Sequence, residues 1–282
     1  MYSEPHIITL SQKVSENTKE WGHRIMNMKV YKVMISNSIQ QMLIYRTTSL
    51  LIVVFGLIFY LFELFSGFVY FKYTDNIMGW TKWDYFSLIT TATIIMYGYN
   101  FFFVWGDSTL DEEILEGKLD YIFLRPINSF WYYSLYRIDF PSLINILAGI
   151  GVQSYIIYKE KVGGLQILMY IVSVIMGVWF IFLFNHLTVT VAFWKERANE
   201  LTWVPEILTD FSSRPASIYP KIIRFLMIWI IPILTSINLP VDILRGKVNI
   251  MSMLWYILFL IVFTTAVYKM WYAGIKKYQS SN

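Results

Sequence analysis

Residues Asp107–Ser129 read DSTLDEEILEGKLDYIFLRPINS, and the placing of this stretch decides the fold. It is too charged to enter a bilayer, yet apolar blocks lie on both sides, Tyr85–Trp105 before it and Tyr132–Tyr158 after it. A run of about twenty apolar residues crosses ~30 Å of hydrocarbon when helical, at ~1.5 Å per residue. If both blocks span a membrane, the charged stretch is a polar island held between two spans.

Four more apolar blocks appear outward from the island: Thr48–Phe71, Leu165–Trp194, Ile222–Asn238 and Ser252–Trp271. The chain is 56% hydrophobic, 19% aromatic and 15% charged, where a soluble domain carries about a quarter charged residues. The expected fold is therefore all-α, a polytopic membrane protein with six transmembrane helices. It forms a single domain over 1–282, with a cytoplasmic or interfacial N-terminus over 1–47, a six-span bundle over 48–272 and a tail over 273–282. Met1–Trp21 is polar and lacks the pattern of a cleavable signal. Trp21–Gln41 mixes apolar residues with Arg24, Lys29 and Lys32, as a helix lying in the interface does. No internal repeat is visible.

Lys and Arg set the orientation. With the N-terminus inside, seventeen of the 23 basic residues fall on the inner side and six on the outer. Both termini and the island are then expected in the cytosol. The inner group includes Lys195, Arg197, Arg214, Lys221 and Arg224 of the connection from the fourth to the fifth block. After the fifth block, Asn238–Pro240 interrupts the apolar run, which suggests backbone covered by protein or lining a cavity.

No catalytic engine is legible. Gly117-Lys118 and Gly246-Lys247 lack the upstream Gly and following Ser or Thr of a phosphate-binding loop. His6, His23 and His186 are scattered, without metal-binding spacing. No GxSxG elbow occurs, and with no Cys there are no disulfides or thiolate metal sites. Among ionisable residues at or within spans, Arg137 and Asp139 read as end-of-helix charges reaching headgroups, and Glu63 reads as an outer-interface residue. His186 is expected to make a helix–helix hydrogen bond. The absence of an intramembrane acidic ladder counts against a proton-coupled pump. The aromatics Tyr97, Tyr99, Phe101, Phe102 and Phe103 suit packing or lipid contact; a path for an amphiphilic substrate is the sharper alternative. Ala148, Gly149 and Gly151 suit close helix packing or a dimer face.

Within the island, Leu110–Leu124 reads as a helix with apolar positions at Ile114, Leu115, Leu119, Ile122 and Phe123. Asp111, Glu112, Glu113 and Glu116 favour its N-terminal half, and Arg125-Pro126 ends it. It is either a solvated hairpin or an element that docks into a cytosolic motor and transmits its closure.

Here the residues carry a resemblance. Ile114-Leu115-Glu116-Gly117-Lys118-Leu119-Asp120, followed by Leu124-Arg125-Pro126, resembles the signature of type-2 ABC exporter permeases of the daunorubicin-resistance-like group. A looser second block agrees: Pro215, Ile218-Tyr219-Pro220, Arg224, Ile231-Pro232 and Leu239-Pro240. The resemblance implies an N-terminal interfacial helix, a cytoplasmic coupling helix in the island, and a re-entrant segment between spans five and six that would suit Asn238–Lys247. It implies an ATPase-docking role for Glu116, Gly117, Lys118, Leu119, Asp120, Leu124, Arg125 and Pro126, and outer-gate candidates at Pro232, Asn238 and Pro240. It further implies a non-catalytic permease in the bacterial plasma membrane that moves a drug, antimicrobial peptide or lipid-like molecule. This permease pairs with a second permease, as homodimer or paralogous heterodimer, and with two copies of an ABC ATPase. No cofactor is expected on this chain, ATP and Mg being held by the ATPase. A gradient-driven transporter and a non-transporting sensor or scaffold remain as alternatives at this point.

Overall fold

The computed structural model describes residues 28–116, 118–119, 128–194 and 203–277. Among them the architecture is helical, with a lone β-bridge between Ile77 and Trp80. In chain order the helices are α1 (Met28–Ile44), α2 (Arg46–Tyr73), α3 (Lys82–Phe102), α4 (Val104–Leu115), α5 (Ser129–Ser134), α6 (Phe140–Lys159), α7 (Gly164–Thr190), α8 (Trp203–Ser212), α9 (Lys221–Phe225), α10 (Ile233–Leu244) and α11 (Ile250–Lys277).

Four helices are long and apolar enough to cross a membrane: α2, α6, α7 with its continuation to Phe193, and α11. Two bent pairs bring the number to six if each counts as one span: α3 with α4, bent by 58°, and Lys221–Ile230 with α10, bent by 89°. The protein is thus a multi-pass membrane protein with four to six candidate spans.

Helix α7 is the axis of the bundle and touches α3, α4, α8, α10 and α11. Phe180, Ile181, Phe182, Leu183 and His186 on it are wholly buried. By contrast α2 and α11 show most of their surface, as the rim of a bundle facing lipid does. The pairing of α3 with α6 is helped by Gly149, where a side chain would press on Ile94 at 2.8 Å; Gly151 faces open space. Gly149 therefore serves packing within the chain.

The fifth apolar block is not a straight span. Helix α9 continues as a π-helical turn over Leu226–Ile230, Ile231 turns extended (φ −121°, ψ 90°), and the chain re-enters helix after Pro232. A residue before proline is pushed out of helical geometry, so the break falls at Ile231-Pro232. The interruption expected at Asn238–Pro240 is absent: α10 runs through it with Pro240 inside. Pro240 has no N–H to give to the Ser236 carbonyl. That carbonyl instead lies against Gly177 of α7, where a Cβ would stand 2.8 Å from it. Helix α10 ends with Gly246 at φ 65°, Gly246 N donating to Ile243 O and Lys247 N to Asp242 O, the paired bonds that close a helix C-terminus.

One end of the bundle gathers the turns around 74–81, 160–163 and 245–249. Arg245 clamps it: Nη2 donates to Gly79 O at 2.6 Å, Nη1 to Asp242 at 3.0 Å, Nε lies 3.2 Å from Asp84, and the guanidinium stacks on Trp80 at 3.9 Å. Gln166 adds a bond to Ile243 O at 3.2 Å.

The described part of the connection after α7 packs back onto the bundle. Arg214 donates to Tyr85, three residues into α3, at 2.6 Å, and to Glu63 of α2 at 3.1 Å. Arg214 thus ties the connection to α2 and α3, with 31% of its side chain exposed. Asn238 makes this possible. Its Oδ1 accepts from Ala216 N at 2.9 Å and its Nδ2 donates to Ser212 O and Arg214 O at 3.2 and 3.3 Å. The irregular backbone after α8 is thereby satisfied away from water.

Candidate functional site

The opposite end of the bundle holds the root of the polar island, assembled from four elements. Helix α3 ends at Phe103 and α4 leaves at 58°. Asp107, one turn past the bend, accepts from Tyr99 OH at 3.0 Å, so two residues that straddle the bend are stapled together. The second carboxylate oxygen meets His186 Nδ1 at 2.7 Å. Asp107 keeps 4% of its surface and His186 none. A carboxylate only accepts, so Nδ1 carries the proton. His186 Nε2 has no partner and sits among rings, with Phe130, Phe182 and Trp271 centred 5.0, 5.2 and 5.1 Å from the imidazole.

The far side of the island returns to the same place. Asn128 caps α5, its side chain accepting from Trp131 N at 3.3 Å. Trp271 of α11, wholly buried, donates to Ser129 Oγ at 3.2 Å. Tyr133 donates to Glu113 of α4 at 2.6 Å. Burial, and then the Glu113 carboxylate, hold this phenol well above its ordinary pKa, so it stays a donor. Gly106 permits the contact: a Cβ there would lie 1.8 Å from the Tyr133 carbonyl oxygen. Leu110 and Leu119 are fully buried beneath. Both ends of the island are thus anchored to α7 and α11 by side chains that water does not reach.

The expected docking residues divide. Glu116 and Lys118 stand exposed in the turn after α4 and pair with each other, the bond raising the Lys118 pKa. Leu119 faces inward. Gly117, Asp120, Leu124, Arg125 and Pro126 lie outside the described residues. The expected helix over Leu110–Leu124 begins earlier, at Val104, and its described part ends at Leu115. The third span also begins later than expected, at Phe140, which leaves Arg137 and Asp139 in the linker before it. The gate candidates Pro232, Asn238 and Pro240 are all buried.

His186 makes the helix–helix bond expected of it, but its partner was not foreseen. That Asp107, Tyr99, Tyr133 and Trp271 meet here was not legible, because each is unremarkable in its own stretch. The one available signal was an aspartate following directly on an apolar block. Among the described residues no cluster of His, Asp and Glu is arranged to hold a metal. The arrangement is a buried joint that ties the described ends of the polar island to α7 and α11.

A second polar place opens between α2, α3 and α8. It is a groove of about 380 Å³ lined by Glu63, Tyr97, Asn100, Thr209, Asp210 and Ser213, with Phe59 and Tyr60 among its apolar walls.

A family model described as ABC-2 family transporter protein matches residues 57–282. No curated protein and no solved structure gives a match.

Proposed function

The chain belongs to the ABC-2 family of transporter proteins, and from that premise we propose that it is the permease subunit of an exporter driven by ATP hydrolysed on a separate subunit. Membership implies a membrane setting and a partner ABC ATPase. In the proposed reading two ATPase copies, holding ATP and Mg, serve a pair of permeases in a bacterial plasma membrane. Both termini and the polar island face the cytosol, and the cargo is amphiphilic: a drug, a peptide or a lipid-like molecule. Glu116, Gly117, Lys118, Leu119, Asp120, Leu124, Arg125 and Pro126 form or shape the coupling helix. The break at Pro232 and the neighbouring Asn238 and Pro240 supply the outer, re-entrant part.

The observation that carries the reading is the buried joint of Asp107, Tyr99 and His186. A docking element is useful only if a push on it moves a span. Flexible attachment would dissipate the push; a desolvated, hydrogen-bonded charge with ring packing around it does not. Closure of the ATPase pair would press on the island, tilt α4 about the bend at Phe103, and drive α7 and α11 through His186 and Trp271.

The test separates docking from transmission. In the co-expressed complex, Gly117→Trp and Asp120→Lys should each abolish copurification of the ATPase while leaving the permease in the membrane. His186→Leu should keep the ATPase bound but remove cargo-stimulated ATP hydrolysis. Undiminished copurification in both island variants would refute the docking role.

A further inference from the structure

At the docking end of the bundle a separate cavity of about 350 Å³ opens inside the elbow between α1 and α2. Tyr45, Thr48 and Ser49 line it from the elbow, Trp105 from α4, and Arg137–Pro141 from the linker into α6. We propose that this cavity binds the phosphate of an anionic phospholipid, with Arg137 as its principal ligand.

The argument starts from an unmatched charge. The Arg137 guanidinium lies 3.9 Å from the centre of the Trp105 ring, and its Nε is buried without a hydrogen-bond partner. The nearby carboxylate is already engaged elsewhere. Asp139 Oδ1 accepts from Trp105 Nε1 at 3.2 Å and Oδ2 from Ser142 at 2.5 Å. Burial lowers the Arg137 pKa from its ordinary value, against the pull of Asp139, as for a partly desolvated cation. A guanidinium stacked on one face keeps its edge free for a forked contact with phosphate.

An independent feature indicates where the anion comes from. From Met28 to Phe62 the chain holds Lys29, Lys32 and Arg46 and not one Asp or Glu. A basic, partly apolar helix leading into a span suits a surface of anionic lipid. Helix α1 breaks from α2 at Tyr45 (φ −97°, ψ 39°); in the proposed binding mode this break, with the cavity beside it, lies at headgroup level. Helix α1 is held over the cavity by Ser38, which accepts from Ile138 N at 3.1 Å. The nearest hydroxyls are Thr48, exposed, and Ser49, whose Oγ reaches only a distant backbone carbonyl at 3.4 Å. A bound lipid would brace Trp105, two residues from Asp107, so the membrane itself would stiffen the root of the island.

The experiment uses the full chain purified in mild detergent, given equal amounts of dioleoylphosphatidylglycerol and dioleoylphosphatidylcholine and read by native mass spectrometry. Retention of the anionic lipid should exceed that of the neutral one by about tenfold, the scale of a charge-assisted contact. Arg137→Gln should erase the preference. Thr48→Trp, which fills the cavity from an exposed position, should do the same and carries the test if Arg137→Gln does not fold. Arg46→Gln should leave the preference intact. A preference that survives both cavity variants, or that falls as far in Arg46→Gln, overturns the proposal in favour of diffuse charge attraction. Binding of inorganic phosphate that displaces the lipid completely would make this a soluble-anion site and overturn the lipid assignment. The readout is independent of transport, so it stands or falls apart from the exporter reading.

Discussion

Two of the polar pairs that tie the second half of the chain to the first are built in opposite ways. Asp107 and His186 keep 5% and none of their side-chain surface, in a shell of aromatic rings. Glu63 and Arg214 keep 44% and 31%, beside an open groove. The first pair holds an element that leaves the bundle; the second holds a segment that enters it. A desolvated pair cannot be broken cheaply, because whichever partner remains is a buried charge or unpaired donor. An open pair exchanges its bonds with water at little cost. The pair at the root of the island is therefore the costlier to break and the stiffer tie, and the pair at the groove the looser one.

The comparison breaks first at Asp107. Asp107→Leu should cost about 3–5 kcal/mol, since His186 and Tyr99 lose their shared acceptor inside the core, visible as a large fall in the thermal unfolding midpoint of the purified chain. Combining it with His186→Leu should recover much of that loss, because an apolar pair of matching shape leaves nothing unsatisfied; no recovery would mean that the pair is not the source of the stiffness. Next, Gly106→Ala should cost about 1–3 kcal/mol through backbone displacement at Tyr133. Least of all, Glu63→Gln should cost about 1 kcal/mol or less by the same melt. A cost for Glu63→Gln equal to that of Asp107→Leu would erase the contrast.

Legibility followed the range of the interaction. Four spans were readable because an apolar block declares itself within twenty residues. In the fifth block the break falls at Ile231-Pro232 and not at Asn238–Pro240, a difference not legible because Pro232 and Pro240 look alike in sequence. One breaks its helix by 89°, while the other stays inside a helix whose freed Ser236 carbonyl lies against Gly177. The contact of Arg214 with Glu63 and Tyr85 was not legible, because nothing local shows that Asn238 will satisfy the backbone that carries it. The island was recognised by its polarity and its Gly117–Asp120 pattern, yet its root was not, since Tyr99, Asp107, Tyr133 and Trp271 come from separate blocks.

By itself the amino-acid sequence determined which stretches leave water and which stay in it. It also carries no phosphate-loop motif and no HExxH spacing. Those are properties of contiguous residues, set by transfer free energy and by motif chemistry at fixed spacing. Only the tertiary structure decided what the island is fastened to. Asp107 and His186 stand 79 residues apart, and their meeting depends on the bend at Phe103, the bare surface of Gly106 and the packing of α7 against α4. Nothing in the local sequence of either residue specifies the other, because a buried polar group requires a partner but does not name it.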